Sequence, residues 1–173
     1  IFGFIFLLLS ILSVYELRTN IENNYWTLLL ITLICILTDI GGYIFGKILK
    51  GPKLLAISPN KTYAGVIGSF FLSISSIPFF LSYNIINDQR IEAVIVFVFI
   101  ISGISQLGDI IISYFKRNSK IKDTGKIIPG HGGLLDRIDG MIFAFPVSYI
   151  LLSISFFENI LKWEKKLQYL DRL

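Results

Sequence analysis

The residues best suited to chemistry in this chain are concentrated between Ser113 and Gly140. This run, SYFKRNSKIKDTGKIIPGHGGLLDRIDG, holds six of the sixteen Lys and Arg residues, together with three Asp and the only His. Carboxylates prefer hard cations such as Mg²⁺, which is usually held by one or two carboxylates and by substrate phosphates. Lys and Arg bind phosphate oxygens. The composition of the run therefore indicates a metal–phosphate site.

Two features within the run bear on that interpretation. Asp136 and Asp139 are spaced i, i+3 and point to one side if the stretch is helical. The glycines of Pro129–Gly133 allow successive N–H groups to form an anion-binding nest. His131 either binds phosphate, transfers a proton or hydrogen-bonds the turn. The metal-free alternative is a solvated basic loop bound to anionic lipid head groups, which accounts for the Lys and Arg but not for the Asp and Gly residues.

Two further carboxylates lie inside long apolar segments. Asp39 is found in ICILTDIGGYIFGK and Asp109 in SGISQLGDIIIS. An ionisable group in a membrane-spanning helix costs roughly 2.5–3.5 kcal/mol on insertion scales and is a functional candidate, the alternative being that it reaches the interface or pairs with a Lys. Asp109 shares a helix face with Ser113 and Lys116, at i, i+4 and i+7. Asp39 and Tyr43 repeat the first of these spacings, although Tyr43 alone is typical of helix packing.

The elements that must position these residues are apolar. Of the 173 residues, 16% are charged, compared with about 25% in soluble domains. Four segments are about long enough to cross a bilayer as helices rather than as barrel strands, namely 25–45, 64–82, 91–112 and 141–160. The run 1–14 is too short to do so, and because the chain starts with Ile we expect an N-terminally truncated sequence. The predicted fold is an all-α, polytopic membrane helical bundle with one catalytic domain over 1–173.

The distribution of basic residues predicts the orientation of this bundle. Four lie in the loop 46–63 and six in the loop 113–140, whereas the two other loops hold two in all. The positive-inside rule places both basic loops in the cytoplasm. The tail does not fit this orientation. It also carries basic residues, at 162, 165, 166 and 172, but an odd number of membrane crossings would place it outside. Either the tail forms an interfacial amphipathic helix or one segment is re-entrant.

Other residues add little chemistry on their own. The single Cys35 excludes an intrachain disulfide and a Cys-rich metal site. The segment SPNKT, which begins at Ser58, is typical of a turn followed by a helix start, although its Lys61 and Thr62 could reach a phosphate.

Together these motifs resemble the signature of the CDP-diacylglycerol synthase, or phosphatidate cytidylyltransferase, family. The resemblance rests on Ser113-x-x-Lys116-Arg117, Lys122-Asp123, Pro129-Gly130-His131-Gly132-Gly133 and Asp136-Arg137-x-Asp139, and upstream on Gly108-Asp109, SPNKT and the Asp39, Tyr43 and Gly46 pattern. It covers most of 38–146. One departure is Ala64, at a position where family members often carry an acidic residue.

The resemblance implies a multi-spanning enzyme of the bacterial inner membrane with its active site facing the cytoplasm. Such an enzyme joins CTP and phosphatidic acid into CDP-diacylglycerol and releases pyrophosphate, with Mg²⁺ as cofactor and with Asp109 and Asp136 as metal ligands. The expected catalytic residues are Asp109, Ser113, Lys116, Arg117, Lys122, Asp123, His131, Asp136, Arg137 and Asp139. The expected substrate-binding residues are Asp39, Tyr43, Ser58, Lys61, Thr62, Gly130, Gly132 and Gly133. Membrane lipids are further expected partners, nucleic acid is not, and a homodimer stays open.

Three other functions fit parts of the pattern. A CDP-alcohol phosphotransferase carries a denser set of Asp residues, with a spacing that this chain lacks. A CTP-dependent polyprenol kinase differs in its acceptor, which helices rich in Ile and Phe do not reveal. A transporter or a non-enzymatic protein that binds anionic lipids predicts polar residues along a path at mid-membrane, whereas here they gather at one interface.

Overall fold

Helices dominate the fold, as predicted. The computed structural model describes residues 2–19, 24–55, 58–78, 91–121, 124–125, 133 and 135–153. Its helices are α1 (Phe2–Thr19), α2 (Asn24–Leu49), α3 (Tyr63–Ile74), α4 (Ile91–Asn118) and α5 (Leu135–Ser153). Two short strands, β1 (Lys53–Leu55) and β2 (Ser58–Thr62), form an antiparallel sheet. This small sheet lies within the predicted loop 46–63 and was not predicted.

Two of the helices are long and apolar enough to cross a membrane. These stretches, Tyr25–Leu49 and Val94–Asn118, each have 25 residues and a mean hydropathy of 2.2. A helix of that length extends about 38 Å, which exceeds the roughly 30 Å of a bilayer's hydrocarbon core. Large apolar side chains also cover the outer surface, and five of them are 67–71% exposed, namely Phe4, Ile11, Ile48, Ile67 and Phe71.

Several element boundaries differ from the predicted segments. Helix α2 continues to Leu49, into the predicted loop 46–63, and the same loop contains the two strands. Helix α4 continues to Asn118 and α5 begins at Leu135, so both ends of the predicted loop 113–140 are helical. The residues from 113 to 118 include neither Gly nor Pro. Basic side chains in the last turn of a helix interact favourably with its dipole, so Lys116 and Arg117 favour a helix that continues to Asn118.

Helix α3 is shorter than the predicted segment 64–82. It ends at Ile74, and the Ser75 and Ser76 hydroxyls donate to the carbonyls of Leu72 and Ser73, at 2.6 and 2.7 Å. Such local side-chain bonds compete with helix continuation. Residues 77 and 78 are helical again, so the interruption of the predicted segment lies at Ser75 and Ser76.

Helices α2 and α3 approach each other closely through glycines. A Cβ atom placed on Gly41 would lie 2.6 Å from the Gly68 carbonyl oxygen, and one on Gly65 would lie 2.8 Å from that of Gly42. A Cβ on Gly68 would overlap the side chain of Phe45. Small residues allow this close backbone approach between apolar helices. The contact holds the polar stretch of α2 against the start of α3.

Hydroxyl groups join three helices next to the apolar core. The core side chains come mainly from α2 and α4 and include Ile31, Ile34, Val98 and Ile101, all fully buried. Beside them the buried hydroxyl oxygens of Thr38 in α2 and Ser102 in α4 lie 2.8 Å apart. The Ser69 hydroxyl of α3 donates to the Thr38 carbonyl at 2.7 Å. Because buried polar groups are costly unless paired, these bonds fix α2, α3 and α4 relative to one another.

The hairpin leads directly into α3. Strands β1 and β2 pair Lys53 with Thr62 and Leu55 with Ser58. Thr62 has extended backbone and its hydroxyl oxygen accepts the Gly65 N–H at 3.1 Å, which makes it the N-cap of α3. An N-cap side chain satisfies one of the free N–H groups of a helix start. The predicted helix start is therefore confirmed, but a strand rather than a turn precedes it.

Candidate functional site

The polar parts of the helices and of β2 surround one cavity of about 300 Å³. Four of its lining side chains are carboxylates and one is an ammonium group, although they come from distant parts of the sequence. The lining residues are Thr38, Asp39, Gly42, Tyr43, Lys61, Thr62, Gly65, Val66, Ser69, Gln106, Asp109, Asp136 and Asp139. The structure therefore brings seven predicted site residues into a single cavity.

An ion pair connects β2 with α4 on one side of the cavity. The Lys61 Nζ lies 2.7 Å from Oδ2 of Asp109, and both side chains are about one-quarter exposed, at 26% and 28%. The same ammonium donates weakly to the Gln106 carbonyl at 3.4 Å. The negative charge of Asp109 in α4 is thus compensated by a lysine from a different element. This agrees with the alternative that a carboxylate in an apolar segment pairs with a Lys.

A second ion-pair cluster connects α4 with α5. The Lys116 Nζ lies 3.0 Å from Oδ1 of Asp136 and 3.7 Å from Oδ2 of Asp139. All three side chains are at most 14% exposed. Since Asp136 and Asp139 lie on one helix, their i, i+3 spacing turns both toward Lys116, which confirms the predicted shared side.

Backbone donors hold the Asp136 carboxylate in place. Its Oδ2 accepts the N–H groups of Thr124 at 2.9 Å and Gly133 at 2.8 Å. Burial alone would raise the pKa of Asp136, but these two donors and the Lys116 ammonium outweigh it and lower the pKa to about 2. Asp136 is also in the first turn of α5, where the helix dipole favours a negative charge.

The contacts of Gly133 give this glycine a structural role other than the predicted anion-binding nest. Its N–H is directed at Asp136, which in turn donates its own N–H to the Gly133 carbonyl at 3.2 Å. This reciprocal pair resembles a capping box at the start of α5. A Cβ atom on Gly133 would lie 2.6 Å from the Thr124 hydroxyl oxygen, so a larger residue would separate the two segments.

The carboxyl groups of Asp139 and Asp109 are close enough to influence each other, which connects the two ion-paired groups. Two carboxyl groups in contact share a proton because both cannot easily be ionised side by side. Burial, followed by the neighbouring carboxyl group of Asp109, raises the pKa of Asp139. The Gly140 N–H also donates to Asp139 Oδ1, at 3.0 Å. The charged groups therefore form one continuous network across the cavity.

Among the described residues, the ion-paired network has more acidic than basic groups. Three carboxylates, those of Asp109, Asp136 and Asp139, are paired with two ammonium groups, those of Lys61 and Lys116. Carboxylates in excess of ammonium groups repel a phosphate unless a cation or protons reduce their charge.

The carboxylates suit a hard cation only in combination with other ligands. Within the described residues, no group of three His, Cys, Asp or Glu side chains is close enough to hold a metal ion. Mg²⁺ is usually bound by one or two carboxylates, waters and substrate phosphates. Asp109 and Asp136 could supply the carboxylate oxygens in that pattern, with water and phosphate oxygens at the remaining positions of an octahedral ion.

Not all predicted site residues reach the cavity. Ser113 is half-buried on α4 and Arg117 is exposed near its end, and neither lines the cavity. Tyr43 lies at the rim, 67% exposed, and its hydroxyl accepts a hydrogen bond from Lys47 at 3.4 Å. Only the backbone is described for Ser58 in β2 and Arg137 in α5. The other predicted residues lie outside the described part of the chain, namely Lys122, Asp123, Gly130, His131 and Gly132.

Several lining residues were not predicted. Thr38, Ser69 and Gln106 contribute polar groups, whereas Gly42, Gly65 and Val66 contribute backbone or an apolar surface. The Gln106 Nε2 is buried and has no hydrogen-bond partner within the described residues. Gln106 precedes Asp109 by three positions, and this helical spacing was a signal in the sequence. No comparable signal identified Ser69, because its place depends on how closely α3 approaches α2.

Comparisons with known proteins agree on one family. The family model described as "Cytidylyltransferase family" matches residues 1–155. A phosphatidate cytidylyltransferase of Staphylococcus aureus (strain COL) is 44% identical over 121 residues, which are 69% of this chain and 46% of the relative. The enzyme of the same name from Staphylococcus haemolyticus (strain JCSC1435) is 42% identical over the same shares. That of Staphylococcus saprophyticus is 38% identical over 139 residues, 80% of this chain and 53% of the relative. The chain thus spans about half the length of these curated relatives.

Proposed function

Since the chain belongs to the cytidylyltransferase family, we propose that this protein transfers the cytidylyl group of CTP to phosphatidic acid. The products are CDP-diacylglycerol and pyrophosphate. The printed names of its relatives support this reaction. The observation that carries the proposal in the structure is the meeting of Lys61, Lys116 and three Asp carboxylates in and beside one cavity.

The reaction needs charge compensation more than a protein nucleophile. An oxygen of the lipid phosphate forms a bond to the α-phosphorus of CTP, and the bond from that phosphorus to the bridging oxygen of the β-phosphate breaks. Pyrophosphate leaves with the electron pair. Both reactants are anions, so the protein must hold them in line and reduce their repulsion. In our proposal Lys61 and Lys116 supply positive charge beside the phosphates.

Mg²⁺ is the cation that this proposal includes. Asp109 and Asp136 would hold it, and when bound it would neutralise phosphate charge and orient the reacting oxygens. The excess of carboxylates over ammonium groups supports this assignment, because the cavity needs additional positive charge before it can accept two phosphate-bearing substrates. Asp139 lies beside Asp109 and contacts Lys116, and we assign it to positioning these two groups. The Thr62 hydroxyl oxygen accepts the Gly65 N–H as the N-cap of α3, and we assign it to holding the neighbouring Lys61 in place, while its own proton is still available to a phosphate oxygen.

We also propose a position in the cytoplasmic membrane, as part of a multi-spanning bundle. Within the described residues, two helices have the length and composition to span. Asp39 and Asp109 lie about 15 and 14 Å along the helix axis from the C-terminal ends of α2 and α4. At that depth a lipid phosphate can enter from the side while its acyl chains stay among apolar helices. The basic loops favour a cytoplasmic opening, which is where CTP is found.

Nucleotide transfer by the full-length protein tests the proposal. In detergent micelles with labelled CTP, phosphatidic acid and Mg²⁺, we expect CDP-diacylglycerol from the wild type. We expect a loss of at least about 100-fold in Asp109→Asn and Asp136→Asn, because transition-state charge stabilisation of this kind is worth that much in other enzymes. Glu92→Gln, at the opposite end of α4, is the matched control and should retain activity. Near-wild-type turnover in both Asp variants would refute the assignment of the carboxylates, and polyprenol as the better acceptor would refute the substrate.

A further inference from the structure

The two lysines of the site are held very differently. Lys116 is 14% exposed, extends from α4 and contacts two carboxylates of α5. Lys61 is 26% exposed, extends from the last residues of β2 and contacts a single carboxylate, that of Asp109. Lys61 lines the cavity, whereas Lys116 lies outside its lining. One ammonium group is therefore enclosed between two helices, and the other borders the open space of the cavity.

We propose that Lys61 exchanges partners as the site is filled. Before a divalent cation binds, its ammonium group occupies the cation position on Asp109. When the cation takes that carboxylate, Lys61 turns into the cavity and pairs with a phosphate of the nucleotide. The identity of the nucleotide rests on the proposed function, whereas the exchange between lysine and cation on Asp109 does not.

The geometry of Asp109 supports competition between the two cations. The Lys61 Nζ lies 2.7 Å from Oδ2 of Asp109, and Mg²⁺ binds carboxylate oxygen at about 2.0–2.1 Å. An ammonium group and a divalent ion on the same carboxylate would repel each other at short range. Lysine also suits an exchange better than arginine does, because it is a compact charge on a flexible four-carbon stem.

The exchange predicts cooperativity with a defined sign. In the wild type the cation must displace Lys61, so the cation alone binds weakly. The displaced ammonium then favours phosphate, so nucleotide strengthens cation binding, and by linkage the cation strengthens nucleotide binding equally. Without the ammonium group, the cation should bind more tightly by itself, while the coupling to nucleotide should shrink.

Cation binding by purified full-length protein tests this sign. Mn²⁺ serves as the probe, with free ion counted by electron paramagnetic resonance, in the absence and presence of a non-reacting CTP analogue. For Lys61→Met we expect Mn²⁺ alone to bind on the order of tenfold more tightly than in the wild type, with the gain from nucleotide reduced by a similar factor. Lys61→Arg should keep most of the coupling. Lys53→Met, in the exposed part of the same hairpin, should match the wild type.

Chemical labelling of the wild type provides a second test that does not depend on a variant. An amine-acetylating reagent followed by mass spectrometry reports how accessible Lys61 is. We expect Mg²⁺ alone to increase acetylation of Lys61 severalfold, the CTP analogue to reverse that increase, and Lys116 to stay protected throughout. Acetylation of Lys61 that does not respond to Mg²⁺, or weaker Mn²⁺ binding in Lys61→Met, would overturn the exchange. If the labelling responds as expected but no CDP-diacylglycerol is made, the proposed function fails and the exchange stands.

Discussion

The two ion-paired regions of the cavity contain the same chemical groups but differ in how the fold supports them. Around Asp136, a lysine and two backbone N–H groups converge on one buried carboxylate at the start of a helix. Around Asp109, a single lysine from a strand compensates a carboxylate that is more than one-quarter exposed. The first region is preorganised by the contact between α4 and α5, and the second depends on where the hairpin places one side chain. We conclude that the ion pair of Lys116 with Asp136 mainly stabilises the fold, whereas the ion pair of Lys61 with Asp109 can rearrange when the site is filled.

The largest expected contrast is in stability. Lys116→Met leaves Asp136 and Asp139 without their ammonium partner inside the protein, and breaking a buried pair in this way typically costs about 3–5 kcal/mol. Lys61→Met removes a pair that solvent partly screens, so we expect a cost of at most about 1 kcal/mol. Unfolding of the purified protein in detergent, followed by circular dichroism, measures both. Equal losses in the two variants would break the comparison between the regions.

The sequence predicted one of these regions better than the other. Asp136 and Asp139 could be assigned to one side from their spacing alone, because helical periodicity determines which side chains share a face. Asp109 and Lys116 were likewise placed on one helix by the same rule, and the structure keeps both in α4. These predictions succeeded because every residue involved is positioned by a regular helix.

The pairing of Lys61 with Asp109 could not be predicted in the same way. It joins residues 48 positions apart through a short hairpin, and a strand of five residues within a polar loop leaves little periodic signal. The close approach of α2 and α3 was also missed, because glycines in an apolar segment indicate packing without naming the partner. Contacts between residues that are far apart in the sequence therefore account for most of what could not be predicted.

The glycine contact between α2 and α3 offers a sharper test of the second region. Gly68→Ala places a methyl group against Phe45 where no space exists, whereas Gly103→Ala in α4 meets no atom closer than 3.8 Å. We expect the first substitution to destabilise the protein by about 1–3 kcal/mol through overpacking. The second should be neutral or stabilise it by up to about 1 kcal/mol, because Ala has the higher helix propensity.

The same pair of variants should separate the two regions functionally. Moving α3 away from α2 displaces the end of β2, and with it Lys61, but it leaves the contact between α4 and α5 in place. Mn²⁺ binding in Gly68→Ala should therefore lose part of its coupling to nucleotide, while Gly103→Ala behaves as the wild type. A variant that is destabilised but keeps full coupling would show that Lys61 does not depend on this helix contact.

The smallest expected effect concerns the cap that follows Lys61. Thr62→Ala removes the hydroxyl that accepts the Gly65 N–H at 3.1 Å, and losing an N-cap of this kind typically costs about 1 kcal/mol. Thr62→Ser keeps the acceptor and is the matched control. Because Lys61 is the neighbouring residue, we expect Thr62→Ala to increase acetylation of Lys61 even without Mg²⁺, and Thr62→Ser to leave it unchanged. If Thr62→Ala lowers stability while Lys61 stays protected, the ion pair with Asp109 alone holds the lysine, and the second region is more rigid than its exposure indicates.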